Sequence, residues 1–499
     1  MVRIVAHPLG PLVPIPPRVA AWRPELDAAV IDAAGAEAAI ARLHEDGAVA
    51  VTTGQQPGLF TGPLYSIHKA LAATALARGL ERRWRRPVVP IFWIAGDDHD
   101  YIEGSLAAWL GADGEVVEWR LPARPPSAPQ LSLSQLTLPD EIDAGIALLA
   151  GSLPRGQPRD MTMAWIGRHY TAGATLHAAC AGALAELLAP FGIVCFDPTH
   201  PAAKRVQAPL LRRAIEHAAE IDAALKSIPD PGTGVRTGDG ATLVFVNTDA
   251  GRERLMIDGD AFRTRRSGIA FGADDLVQLI QGEPERFSAN VLLRPVIEAA
   301  LLPTVAYVAG PAELTYLRSQ SATLYPLFDV TPQVPVPRWS GATVPHWAER
   351  LLHRLDLTAE TVIADDSAAA RAVLDRDFPH DARQAIDALH AQVGRGRDLL
   401  IDAGRRIDPV LDAAMVNRLR RLDELIDDLD AVLRRHLRKR SDIAYAQYRR
   451  LTDVFRPLGQ PQERVLTAAT FLGRYGDAWT NAVFESVTTW TAGLPPETM

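Results

Sequence analysis

A short β-type run, Ala48 to Thr53, and a continuous apolar run, Val88 to Ala95, flank a glycine-punctuated loop and a stretch of helical periodicity. A strand that is apolar on every residue must be covered on both faces, which is the situation of a strand inside a parallel sheet. From Leu64 to Arg83 apolar residues recur at helical spacing, with Leu71, Ala75, Leu76 and Leu80 on or near one face. Strand, glycine loop, helix and strand in that order form a βαβ unit, so the spacing predicts an α/β core with a parallel sheet.

Further α/β signals follow the same pattern. A helix is expected over Glu37 to Glu45 and another over Thr175 to Ala189, ended by Pro190. Gly192 to Phe196 and Thr304 to Ala309 read as strands, the second stopped by Gly310-Pro311. Ala241 to Asn247 and Arg254 to Ile257 read as a hairpin, an insertion rather than part of the parallel sheet. Thr331 to Pro337 carries three prolines and is expected to be a linker or boundary. Beyond it Met415, Leu419, Leu422, Ile426, Leu429 and Leu433 alternate four- and three-residue spacings, the seam of a coiled coil. Ile386, Leu389, Val393 and Leu400 give a shorter partner seam, interrupted at Gly396, and Asp408-Pro409 separates the two. An antiparallel helical pair follows, with dimerisation through it or packing on its own chain as the alternatives. The expected domains are a core over 1–337 with the hairpin near 241–265, a helical arm over 338–460, and a helical segment over 461–499 returning to the core.

Composition narrows the partners. A chain of 499 residues with 47% hydrophobic and 22% charged residues is long enough to bury a large core without disulfides. A net charge of -8 counts against general nucleic-acid binding. Cys180 and Cys195 lie among apolar residues and read as buried free thiols without metal-ligand spacing. The proline-rich start lacks the apolar stretch of a signal peptide, and no run is long enough to span a membrane, so a cytoplasmic protein is expected. Only four of the 52 Lys and Arg residues are lysines, and none follows a glycine, which removes the Walker phosphate loop.

Three constellations carry possible chemistry. The first joins the first strand to its helix and comprises Thr53, Gly54, Gln55, Gln56, Gly58, Thr61 and Gly62. Its glycines permit close ligand approach, helix N-terminal amides suit an anion, and the glutamines offer donors and acceptors beyond what a turn needs. Lys69 is expected to contact a phosphate or to face solvent; His68 points to the loop or packs on the sheet. The second, Asp97-Asp98-His99-Asp100 with Glu103 beyond, follows the second strand. Ligands in open α/β sheets bind beyond the carboxyl ends of strands. The cluster suits an ammonium group, a ribose or Mg²⁺ carried by ATP, with His99 as a general base, or else simply caps a helix. The third holds Asn290 and Arg294, whose fork suits a carboxylate or phosphate, and Gly310 with Glu313 at a helix start.

The blocks Thr53-Gly54-Gln55-Gln56 through Phe60-Thr61-Gly62-Pro63-Leu64-Tyr65 and His68-Lys69 are similar to those of the BshC family. So are Pro90 to Ala95 with Asp98-His99-Asp100, Asn290 to Pro295, Leu302 to Val308, Gly310 to Glu313, and Gln462-Glu463-Arg464. The resemblance implies a Rossmann-like core with inserted connecting segments, a coiled-coil domain and a homodimer. It implies the last step of bacillithiol synthesis, an amide joining the cysteine carboxyl group to the amine of glucosaminyl-malate. A carboxylate is a poor electrophile, so ATP with Mg²⁺ is expected as the activating co-substrate, with no permanently bound cofactor. On this reading Gln55, Gln56 and Lys69 hold phosphates or the reacting carboxylate. Asp98, His99 and Asp100 handle the amine, and Arg294 grips an anion such as malate. The lysine-serine-lysine loop of class I synthetases is absent. The rival readings are another nucleotide-dependent transferase and a non-catalytic dimeric scaffold.

Overall fold

The computed structural model describes residues 2–235, 238–364, 368–370, 373, 379–408, 410–440 and 442–496. The chain divides into two units, Met1–Thr343 with Gln462–Met499, and Val344–Pro461.

In chain order the strands are β1 (Arg3–Ala6), β2 (Val49–Gln55), β3 (Val88–Ile94), β4 (Leu106–Leu110), β5 (Val116–Arg120), β6 (Val194–Phe196) and β7 (Ala241–Thr248). They continue as β8 (Gly251–Asp258), β9 (Ala261–Thr264), β10 (Ala270–Gly272), β11 (Phe287–Ala289), β12 (Thr304–Ala309), β13 (Val334–Pro337) and β14 (Gly341–Val344).

The first unit is built on a parallel sheet of order β13-β12-β2-β3-β6. From β2 the chain moves outward to β3 and β6, and later returns on the other side of β2 with β12 and β13. The gap between β2 and β12 is therefore the topological switch point, where connections leave in opposite directions and open a crevice. All seven residues of β3 are buried, as its apolar run requires. Pro90 sits inside this strand without breaking the sheet, because the β6 ladder engages β3 only from Ile91 to Trp93.

The alanine-rich helix Tyr65–Trp84 covers one side, packing on β2, β3 and the terminal helix Asp477–Thr491. Small side chains let it lie close to the sheet, and Ile67 to Ala77 is buried without interruption. The expected helix over Thr175 to Ala189 is found as Leu176–Leu188, with Thr175 accepting from the amide of Ala178.

Three expectations change. Thr331 to Pro337 is not simply a linker, since Val334–Pro337 forms the outer strand of the parallel sheet beside β12. An edge strand can carry Pro335 and Pro337 because one side of its backbone needs no ladder donors. The hairpin is the middle of a larger antiparallel sheet, order β10-β9-β8-β7-β11. The first strand also runs past Thr53 to Gln55.

In the second unit, helices His380–Ile407 and Leu411–Arg440 lie side by side. Arg397 pairs with Asp423 at 2.9 Å and His390 with Asp427 at 3.4 Å, so one number rises as the other falls and the helices run antiparallel. Pro409, expected to separate them, lies outside the described residues. Ile426 is buried, whereas Leu422, Leu425 and Leu429 are 44%, 60% and 50% exposed, so among the described residues this helix presents an uncovered apolar face.

Candidate active site

A cavity of about 450 Å³ lies at the switch point, at the carboxyl ends of β2, β3 and β12, wholly within the first unit. Its lining includes Gly54, Gln55 and Gln56 from β2 and the loop after it, and Asp97, Asp98 and His99 after β3. Lys69, Asn290, Arg294, Gly310 and Glu313 also line it, so the three sequence constellations meet in one place.

The floor is an ion-paired network. Lys69 is 1% exposed, and its Nζ donates to Gly54 O at 2.5 Å and to Glu313 Oε2 at 2.7 Å. Burial pulls the Lys69 ammonium below its ordinary value and Glu313 partly restores it. Burial would raise the Glu313 carboxyl, but Lys69 and Arg294 more than reverse this and hold it below the ordinary range. Glu313 also accepts from the amide of Gly310 at 2.7 Å and from the Tyr307 hydroxyl at 2.7 Å. Arg294 is tied to buried Glu298 at 2.7 Å. Neither Lys69 nor Arg294 is thus a spare cation; each has a carboxylate partner within the protein. Gly54 is required here, since a Cβ would lie 2.8 Å from the carbonyl oxygen of Trp93 on the neighbouring strand.

The acidic block has a division of labour. Asp97 binds buried Lys204 through both oxygens at 2.7 and 2.8 Å. Asp98 Oδ1 accepts the amides of His99 and Asp100, and Asp100 caps the short helix Tyr101–Gly104 by accepting from Glu103. Asp100 does not line the cavity; Asp97, Asp98 and His99 do. His99 Nδ1 lies 2.8 Å from Nη1 of Arg252. Burial and the Arg252 guanidinium lower the His99 pKa from its ordinary value.

The rest of the first constellation forms the loop that carries the site. Thr53 is inside the sheet, donating to Val308 O at 2.8 Å. Phe60 and Thr61 adopt φ of 49° and 74°, the left-handed region that ordinary side chains avoid. Tyr170 holds them there, accepting from the Thr61 amide at 2.7 Å and donating to Gly58 O at 2.8 Å. The Gly58 amide reaches the thiol of buried Cys180. Gly58, Thr61 and Gly62 therefore shape the loop without lining the cavity. His68 turns away from the loop, bonding Glu463 at 2.9 Å with its edge against Trp339. Glu463 also accepts from Arg338 and Ser340; burial would raise its carboxyl, but His68 and Arg338 hold it well below the ordinary range.

Several cavity residues were not singled out from the sequence. Phe245, Arg252 and Arg254 arrive from β7 and β8 of the antiparallel sheet. Arg252 and Arg254 alternate along a strand and so share a face, a signal available in the sequence once the hairpin is recognised. Tyr65 bridges the site, accepting from Gln55 Nε2 and donating to Glu103, both at 2.9 Å. Lys204 carried the same signal as Lys69, a lysine in a chain of arginines.

Among the described residues no group of three or more His, Cys, Asp or Glu side chains forms a metal cage, and no helix is long and apolar enough to cross a membrane. Residues 27–339 match the N-terminal Rossmann-like domain of bacillithiol biosynthesis BshC, and residues 343–491 match its C-terminal coiled-coil domain. A protein of Heliobacterium modesticaldum is 30% identical over 467 residues, covering 90% of this chain and 83% of the relative. One of Salinibacter ruber is 31% identical over 450 residues, covering 88% and 81%. One of Bacillus cytotoxicus is 27% identical over 461 residues, covering 90% and 85%. Each of the three is named "Putative cysteine ligase BshC". With both domains matched in order and nearly the whole chain aligned, this chain belongs to the BshC family of bacillithiol biosynthesis.

Proposed function

We propose that this protein is a cytoplasmic cysteine ligase that joins the carboxyl group of L-cysteine to the amine of glucosaminyl-malate. The observation that carries the reading is a single cavity, in a member of this family, lined by both the Asp98 carboxylate and the Arg254 guanidinium. Such a lining suits a ligand that bears an amine and carboxylates together.

ATP is the activating co-substrate in this proposal. The cysteine carboxylate attacks the α-phosphorus and pyrophosphate leaves; the sugar amine then attacks the acyl carbon and AMP leaves with the former carboxylate oxygen. Asp98, which lines the cavity and spends Oδ1 on the turn, takes the proton from the amine through Oδ2. His99, with Nδ1 facing Arg252, donates from Nε2 to an oxygen of the substrate rather than acting as the base. Magnesium travels with the nucleotide, and Asp97 and Asp98 are the carboxylates of this block that reach the cavity. The arm pairs two copies through its uncovered apolar face.

Mass analysis of purified protein with cysteine, glucosaminyl-malate and Mg-ATP tests the reading. The expected product has the mass of the two substrates less one water, with AMP formed in equal amount. ADP in place of AMP would replace the adenylate with an acyl phosphate. No cysteine-dependent product would reject the ligase.

A further inference from the structure

The cations around the cavity differ in one respect. Lys69 is paired with Glu313, Lys204 with Asp97, Arg294 with Glu298 and Arg338 with Glu463. Arg252 spends its guanidinium on His99, Ser288 and the carbonyl of Ala289. Two lining cations, Arg464 and Arg254, have no such partner among the described residues; Arg464 is exposed, whereas Arg254 is partly buried, its guanidinium 5.0 Å from the centre of the Phe245 ring.

Its surroundings make that isolation costly. Arg254 is partly buried, and burial together with the like charges of Arg252 and Arg265 lowers its pKa. A guanidinium partly withdrawn from water beside like charges is stabilised when an anion joins it. Its position is nevertheless well fixed. Arg254 stands opposite Phe245 in the β7–β8 ladder, and the same ring carries Arg252 at 3.8 Å on its other contact. A fork so placed can take two carboxylate oxygens at once.

We propose that Arg254 is the specificity-determining residue that binds the carboxylate-bearing arm of the acceptor, selecting an amino sugar that carries malate over a neutral one. This rests on the ligase reading for the identity of the acceptor, and it moves the anion-binding role expected of Arg294 to a residue with free donors. Arg294 is excluded because Glu298 takes its Nη1 and the Tyr307 hydroxyl its Nη2.

The test uses the full chain and two acceptors, glucosaminyl-malate and the neutral methyl glucosaminide, with wild type, Arg254→Lys and Arg254→Gln. Arg254→Gln lowers the preference for the malate-bearing acceptor, as a ratio of kcat/KM values, by roughly 10–100-fold, the loss of hydrogen bonds to a charged partner. Arg254→Lys falls between, keeping charge without the fork. Equal losses on both acceptors, or a KM change for ATP larger than that for the acceptor, would overturn the assignment; the latter would make Arg254 a phosphate contact. Calorimetric titration with glucosaminyl-malate separates this from the ligase reading. Binding that weakens in Arg254→Gln, in a protein that forms no amide, keeps the inference and removes the ligase. Equal binding by wild type and variant, or none by wild type, removes the inference. Matching thermal melts of the variants establish that the fold is intact.

Discussion

Nη1 of Arg252 lies 2.8 Å from Nδ1 of His99. A guanidinium only donates, so Nδ1 must accept and the proton of the neutral ring sits on Nε2. The antiparallel sheet thereby sets the tautomer of a residue that belongs to the parallel core. Nitrogen-15 spectra are expected to show His99 as the Nε2–H tautomer with a pKa below 6.5. In Arg252→Met the pKa rises, because the neighbouring positive charge is gone. Activity falls by roughly 10–100-fold if the oriented donor contributes a charged hydrogen bond to the reaction. A wild-type ring protonated on Nδ1 would contradict this arrangement.

Lys69 is not the solvent-facing lysine that the sequence allowed: it is buried, lines the cavity and is paired with Glu313. Lys69→Met leaves partly buried Glu313 without its main cation and destabilises the protein by up to about 3 kcal/mol, the low end of what breaking a buried pair costs. Adding Glu313→Gln restores part of that loss. Denaturant melts of the two variants against wild type measure both steps.

Tyr170→Phe removes the hydroxyl that holds the left-handed turn at Phe60 and Thr61. The Thr61 amide is then a buried donor without its partner, and the cost is about 1–3 kcal/mol. Thermal unfolding reads the loss. A melt identical to wild type would mean that packing of Phe60 against Trp109 and Tyr170 alone fixes the turn.

Stability falls as the solution is acidified below about pH 6.5. His7, His68 and His99 have folded-state pKa values lowered chiefly by burial, so the unfolded chain binds more protons in this range. Their contribution is complete above the unfolded value and is lost as the pH drops toward the folded one. Below the ordinary carboxylate value, Glu313 and Glu463 add a loss of the same sign. Melting temperatures between pH 7.5 and 5 check the direction, and His68→Gln flattens the upper part of the curve.

Self-association is best probed at Leu425 and Leu429, which are exposed on the arm, rather than at buried Ile426, where a charge would disrupt the helical pair itself. Leu425→Asp with Leu429→Asp shifts sedimentation toward monomer at unchanged helical content. A wild type that sediments as a monomer at micromolar concentration would remove the proposed dimer.

The βαβ unit was legible because a strand buried on both faces and a helix lying on it leave different periodicities in the chain, and these survive without any tertiary information. Gln55, His99 and Arg294 were legible as members of three blocks for the same reason: each block follows a strand or opens a helix. Their partners were not. Whether Lys69 meets solvent, phosphate or Glu313 is decided by a residue 244 positions away. Whether Asp97 is free depends on Lys204, 107 positions on. Val334 to Pro337 reads as a linker locally and becomes a strand only because β12 offers it an edge. The sequence by itself determined the elements and the order in which they bring polar residues to strand ends. Only the tertiary structure decided which charges are neutralised and which, like Arg254, remain for a ligand, because pairing energies depend on distance and burial, and neither is written in local spacing.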